Sequence, residues 1–296
     1  MNTISSTMST RSITPQLEEI EKMLGAPTYR CADVLLYHGD CQSMMAKIKK
    51  PVIPLTITSP PYNIGKEYEK VRSVDEYVEW CESWIRDIWD ITAPTGSFWL
   101  NLGYLNFPGK ALALPIAYLL WDRTPFYLLQ EIVWNYGAGV ACRQTFSPRN
   151  EKFLWFAKNE NNHIFNLDAV RDPNVKYPNQ KKNGKLKCNP IGKNPSDVWQ
   201  FPKVTSGRNR ASRERTAHPA QFPTALIERI IKACSNPGDI IFDPFIGSGS
   251  TAEAAIRTGR KALGFEIRKD YIDLAGKRLD YYWKNRRREE AQARLF

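Results

Sequence analysis

Histidine is scarce in this 296-residue chain, with three in all, and the six cysteines (31, 41, 81, 142, 188 and 234) stand far apart with no C-x-x-C pair. Zinc ligation and a disulfide framework both need such residues close together, so neither is supported and reduced thiols are expected. Long apolar runs are missing too. No stretch approaches the roughly 18 residues that span a bilayer, and the opening MNTISSTMSTRS lacks the apolar core of a secretion signal. A soluble, cytoplasmic protein without membrane contact or bound metal is expected. The length suits one domain carrying a substantial insertion.

Acidic residues are the minority, 31 against 42 Lys and Arg, for a net charge of +11. Most of the excess lies in one place: between Arg171 and Arg215, twelve basic residues face three acidic ones, a balance of +9. Five prolines and three glycines fall in that segment with little periodicity, so it reads as an irregular basic insertion suited to a polyanion, or as a solvated loop. A second basic cluster, Lys284 to Arg288, reads as a helix tail.

The flanks are well patterned. Thr14-Pro15 with Leu17, Ile20, Met23 and Leu24 before Gly25 predicts a short amphipathic helix. Ser73-x-x-Glu76 is a capping box for a helix carrying Tyr77, Cys81, Trp84, Ile85, Ile88 and Trp89 on its core face. Val52 to Ile57, Ser97 to Leu102, Phe126 to Trp134 and Lys152 to Ala157 read as strands, and Lys110 to Trp121 as a helix strained at Pro115. Alternating strands and helices predict an α/β sheet covered on both faces.

Two motifs carry chemistry. In TSPPYN, residues 58 to 63, Pro60 and Pro61 stiffen the chain after a strand. Ser59, the Pro60 carbonyl and the Tyr62 ring can then offer an acceptor edge and a flat face to a planar ligand; a plain loop is the alternative. In GDIIFDPFIGSGSTAEAAIRTGRKALGFEI a strand (240 to 243) meets a glycine turn at Gly247 and Gly249, a helix from about Thr251 and a second strand (262 to 267). This βαβ unit could hold a nicotinamide dinucleotide, but such a fold needs two mononucleotide halves after its glycine turn, and only about thirty residues follow Ile267. S-adenosyl-L-methionine fits better, its ribose on Glu266 and its carboxylate at the glycine loop and helix N-terminus.

These motifs, in this order, resemble the DNA amino-methyltransferases that act on cytosine N4 or adenine N6, in the arrangement where the catalytic strand precedes the target-recognition segment and the cofactor motif comes last. LLYHGDCQSMM (35 to 45), TSPPYN, NEKFLWFAK (150 to 158), RTAHPAQFPTALIERII (215 to 231), FDPFIGSGST (242 to 251) and GFEI (264 to 267) carry the likeness. Phe222 stands where that family more often has Lys. The resemblance implies a Rossmann-like, mostly parallel sheet with circularly permuted motifs. Its expected parts are an extension with a short helix (1–30), a catalytic half (31–158), a basic target-recognition region (159–215), a cofactor half (216–283) and a basic tail (284–296).

It further implies S-adenosyl-L-methionine held by Asp40, Asp243, Phe245, Gly247, Gly249, Ser250, Thr251 and Glu266, with Asp40 and Phe245 near the adenine. Catalysis falls to Ser59, Pro60, Pro61 and Tyr62, without metal or covalent intermediate. Double-stranded DNA is the expected partner, with Lys181, Lys182, Arg208, Arg210 and Arg213 of the basic segment as the candidate contacts. The loop from Gly137 to Gln144 follows a strand end and reads either as a border of the flipped base or as a plain flexible loop. Ser before Pro-Pro-Tyr is typical of the cytosine-N4 enzymes of that family, which favours cytosine, with adenine N6 as the alternative. A cognate restriction endonuclease and a monomer or homodimer complete the expectation.

Overall fold

In the computed structural model, which describes residues 15–293 apart from 68, 138, 140, 206–211 and 213, the first element is the expected amphipathic helix. This is α1 (Pro15–Leu24), with Leu17, Ile20 and Leu24 buried. All three pack into a main core, so this helix is part of the body and not an extension of it. Strands β1 (Tyr29–Cys31) and β2 (Val34–His38) and the short α2 (Cys41–Met45) lead to β3 (Ile53–Thr58), which ends at the TSPPYN turn.

Ser73 and Glu76 form the capping box, the Ser73 hydroxyl accepting from the Glu76 N–H and the Glu76 carboxylate accepting from the Ser73 N–H at 2.8 Å. They open α3 (Val74–Ile91), whose Tyr77, Cys81, Trp84, Ile85 and Ile88 are buried as their spacing predicts. The following strand, β4 (Thr92–Leu102), begins earlier than expected.

Lys110 to Trp121 is not one helix. Strands β5 (Tyr104–Phe107) and β6 (Ala111–Pro115) form a hairpin, and only α4 (Ala117–Leu120) is helical. Pro115 explains the difference: inside a helix it would remove a hydrogen bond and clash with the preceding turn, at a cost of about 3 kcal/mol. At the end of β6 it costs little. Strands β7 (Tyr127–Asn135) and β8 (Asn150–Ala157) match their expected positions within two residues.

The basic region is irregular, as its composition predicts, with two-residue strands β9 (Lys181–Lys182) and β10 (Lys185–Leu186) forming an exposed hairpin. Its last strand, β11 (Val198–Gln200), pairs in parallel with β7, so the region also adds an edge strand to the central sheet. Helix α5 (Thr224–Cys234) leads into β12 (Ile240–Asp243), α6 (Ser250–Arg257) and β13 (Lys261–Glu266), the βαβ unit read from the sequence. The chain continues in a single helix, α7 (Lys269–Ala293), so residues 284–293 prolong a helix that packs on the sheet.

The sheet order is β1-β2-β13-β12-β3-β4-β8-β7-β11. Strands β2, β13, β12, β3 and β4 run parallel, while β8 is antiparallel to both its neighbours. One face packs on α1 to α4 and the other on α5 to α7, giving two cores separated by the sheet. Among the described residues no helix is long and apolar enough to cross a membrane. The C-terminal ends of the parallel strands and the start of β8 share one edge, where open α/β sheets hold ligands.

Candidate active site

Beyond Thr58 the prolines leave β3 without ladder donors, and the turn is held by side chains instead. Glu69 clamps it: its carboxylate accepts from the N–H groups of Tyr62 at 2.9 Å, Ile64 at 2.7 Å and Lys66 at 3.2 Å. Asn63, at φ 62°, pairs both ends of its amide with the Arg72 backbone. The Tyr77 hydroxyl donates to the Pro61 carbonyl at 2.9 Å, whereas the Pro60 carbonyl has no partner among the described residues. One rigid carbonyl is therefore anchored and its neighbour is available.

Tyr62 is folded inward. Its ring lies on Gly103, where an added Cβ would come within 2.8 Å of the ring, so the strand end must be glycine for the tyrosine to sit there. Its hydroxyl receives a hydrogen bond from Ser59 Oγ at 2.8 Å and donates to Glu151 Oε2 at 3.1 Å. Asn101 Nδ2 donates to the same Glu151 oxygen at 2.6 Å and also to the Tyr62 hydroxyl. Burial, with the Glu151 charge beside it, pushes Tyr62 well above its usual range, so it stays a neutral donor. Burial also raises Glu151, against the hydrogen bonds from Asn101 and Tyr62 and the charge of Lys203.

A cavity of about 590 Å³ joins this turn to the glycine loop. Asp243, 3% exposed at the end of β12, accepts from Thr58 Oγ1 at 2.6 Å, Thr251 Oγ1 at 2.7 Å and the Phe245 N–H at 3.0 Å. Burial still pushes its carboxyl up to about 6. Glu266 accepts from the Gly247 N–H at 3.1 Å and the Arg268 N–H at 3.0 Å. Gly247 has φ 45° and a Cβ there would meet the His218 ring at 2.8 Å, so the loop can close on the cavity only as glycine. The Phe245 ring forms a wall with Trp80 and Trp84, at centroid distances of 5.9 and 5.2 Å.

Most of the expected residues thus share one cavity: Asp40, Ser59, Pro60, Pro61, Tyr62, Asp243, Phe245, Gly247, Ser250 and Glu266 line it. Gly249 and Thr251 do not. Gly249 is packed against Ala275 on α7, and the Thr251 hydroxyl is turned to Asp243, so both support the loop from behind. Lys181 and Lys182 sit on the exposed hairpin away from the lining, and Arg208, Arg210 and Arg213 lie outside the described residues.

A family model described as DNA methylase matches residues 53–277. The chain is 60% identical over 270 residues to the type II methyltransferase M.ScaI of Streptomyces caespitosus, covering 91% of this chain and 89% of that protein. The chain belongs to the DNA amino-methyltransferases of restriction-modification type. It is also 33% identical to the DNA adenine methyltransferase YhdJ of Escherichia coli, over 83% of this chain and 82% of that one. Among solved structures, the PvuII DNA methyltransferase (cytosine-N4-specific) shares the fold at TM-score 0.69 with 22% identity, over 86% of this chain and 88% of that one. The complex of M1.HpyAVI with S-adenosylmethionine also shares it, at TM-score 0.56 with 24% identity, over 83% of this chain and 98% of that one.

S-adenosyl-L-methionine is the methyl donor of this methyltransferase. The donor set fits it: the carboxylates of Asp40, Asp243 and Glu266 suit a cationic nucleoside, the aromatic wall suits a purine, and the loop before α6 brings backbone N–H groups to the cavity. Sequence reasoning missed Glu69, Asn101 and Glu151. Asn101 and Glu151 are single polar residues 39 and 89 positions from Tyr62, whereas Glu69 lies only seven residues beyond Tyr62 in a stretch with no motif to mark it. Lys203 and Arg215, both within the basic segment, also lie on the cavity wall.

Proposed function

We propose that this methyltransferase moves the methyl group of S-adenosyl-L-methionine to N4 of cytosine within a duplex recognition sequence. The observation that supports it most directly is the turn: Ser59, with its proton turned to Tyr62, and the available Pro60 carbonyl form a rigid pair of acceptors at the cavity. An exocyclic amino group is a poor nucleophile because its lone pair is delocalised into the ring. Two acceptors on its hydrogens draw the nitrogen towards tetrahedral geometry, and preorganised dipoles meet the positive charge that develops on it. The cofactor supplies the electrophilic methyl. The target base must leave the stack to reach the acceptors, and Tyr62 borders its position.

The serine at position 59 favours cytosine, since serine in this place is typical of the cytosine-N4 enzymes that the motif resembles. Adenine N6 is the second reading, favoured by the likeness to YhdJ. Duplex DNA would be gripped by the basic region, with Lys203 and Arg215 at the cavity wall and Lys181 and Lys182 further out, giving salt-dependent affinity. Protection of cytoplasmic DNA from a cognate endonuclease is the corresponding role.

Incubation with mixed-sequence duplex and methyl-labelled cofactor, then nucleoside digestion and mass spectrometry, decides the base. N4-methylcytosine is expected; N6-methyladenine would discard the base assignment while leaving the two-acceptor chemistry in place.

Cofactor affinity should also depend on pH. Asp243 titrates at about 6 because burial raises it, so it is anionic above that pH and neutral below it. A cationic cofactor prefers the anion, so affinity falls as pH drops through about 6, and binding near that pH releases a proton. Glu266 is shifted upward by burial as well, so Glu266→Gln isolates the Asp243 share. Calorimetry in two buffers of different ionisation enthalpy measures the proton; a pH-independent dissociation constant would rule the effect out.

A further inference from the structure

Glu151 has no task in the reading above, and we propose that, acting through Tyr62, it holds Ser59 as a hydrogen-bond acceptor and takes up the proton that methyl transfer releases. The inference rests on the role given to Ser59. An ionised carboxylate only accepts, and two donors aim at one of its oxygens: Asn101 Nδ2 at 2.6 Å and the Tyr62 hydroxyl at 3.1 Å. With its single proton turned to Glu151, the Tyr62 oxygen accepts, and Ser59 is its donor at 2.8 Å. The single Ser59 proton is thereby directed away from the substrate, leaving lone pairs for an amino hydrogen. A neutral group at position 151 removes that constraint and lets Tyr62 donate to Ser59 instead.

The same chain of oxygens carries a proton outward. As the nitrogen lone pair forms the new N–C bond, the C–S bond breaks and its electrons go to sulfur. The nitrogen, now cationic, passes one proton to Ser59 Oγ while Ser59 passes its own to Tyr62 and Tyr62 passes its own to Glu151. Both hydroxyls end with one proton each, and the carboxylate becomes the acid. Loss of that proton to solvent and rotation of the hydroxyls restore the starting state.

Groups from several elements bear on the ionisation of Glu151. Tyr62 comes from the turn after β3 and Asn101 from β4, Tyr104 and Tyr136 lie near it from β5 and the end of β7, and Lys203 is the cation that favours its ionised form. Lys152, next in sequence, is paired with Glu131 at 3.1 Å. Burial raises Glu151, so the relay is intact above its titration and lost as pH falls through it.

Single-turnover methyl transfer, measured against pH, is therefore expected to show an acidic limb. Glu151→Gln keeps the size of the side chain, and should lower the rate about a hundredfold and abolish the limb; Tyr62→Phe should do the same, and the double variant should be no slower than either. In the protein alone, infrared titration should show a protonated-carboxyl band that Glu151→Gln removes and whose midpoint matches the limb. A wild-type rate in Glu151→Gln, a reduced rate with the limb unmoved, or an infrared midpoint away from the limb overturns the relay. Should Glu151→Gln fail to fold, Tyr62→Phe carries the test. Ser59→Ala separates the two levels: if it retains the wild-type rate, the Ser59 role falls and the relay with it; if it is slow while Glu151→Gln keeps its limb, only the relay falls.

Discussion

Ser59→Ala is expected to slow single-turnover methyl transfer by about two to three orders of magnitude while cofactor and duplex affinities stay within about threefold. Ser59 is not part of the cofactor carboxylate set. Its hydroxyl makes its hydrogen bond to Tyr62, whose hydroxyl remains held by Asn101 and Glu151 when Ser59 is lost. The turn itself is fixed by Glu69, Asn63 and Tyr77, none of which the substitution touches. What disappears is one of two acceptors for the amino hydrogens, a contact that matters most when charge develops on nitrogen. The loss should therefore fall on the rate and hardly on binding. Rapid quench with labelled cofactor gives the rate, and gel shift at fixed salt gives the duplex affinity. A rate within about threefold of wild type would show that Ser59 is not the acceptor.

The parts of this site that local chemistry dictates are legible in the sequence. Two prolines end a strand wherever they stand, and a glycine turn between a buried strand and a small-residue helix has few other uses, so the TSPPYN turn and the unit from β12 to β13 fall within a residue or so of their expected places. Lys110 to Trp121 misleads because its apolar spacing suits a helix; Pro115 and the turn at Gly109 (φ 73°) make it a hairpin. The Phe222 departure from the family pattern also has a local cause. Its ring stacks on Phe153 at 5.7 Å and packs near Trp134 at 6.3 Å, filling core space beside the cavity.

What the sequence hides is long-range pairing. Glu151 is 89 residues from Tyr62 and Asn101 is 39 residues from it, and only the order of β3, β4 and β8 in the sheet brings the three together. Which residues of a βαβ motif touch the ligand is equally out of its reach. Gly249 and Thr251 belong to the motif, but Gly249 faces Ala275 on α7 and the Thr251 hydroxyl turns back to Asp243 at the end of β12.

The packing of α7 also sets a large stability effect. Arg278 is buried, at 6% side-chain exposure, and its Nε donates to Glu253 Oε2 on α6 at 2.5 Å. Its Nη2 reaches Thr224 Oγ1 at 3.0 Å and Glu214 Oε2 at 3.4 Å. Glu214, at the end of the basic region, accepts from the Thr224 N–H at 3.0 Å, so it caps α5 where Pro223 supplies no side-chain bond. One guanidinium therefore ties the cofactor helix, the helix leading to β12 and the end of the basic region to α7. Glu253→Ala removes the shortest of these contacts and leaves a buried cation facing a more distant and more exposed carboxylate. Breaking one partner of a buried pair typically costs about 3 to 5 kcal/mol, and the lower end is expected because Glu214 remains. Replacing both partners, Glu253→Leu with Arg278→Met, should recover much of that loss, since the charge is then gone rather than stranded. Urea unfolding of the single and double variants measures both. A cost below about 1 kcal/mol for Glu253→Ala would mean that Arg278 reaches solvent or Glu214 well enough to need no second carboxylate.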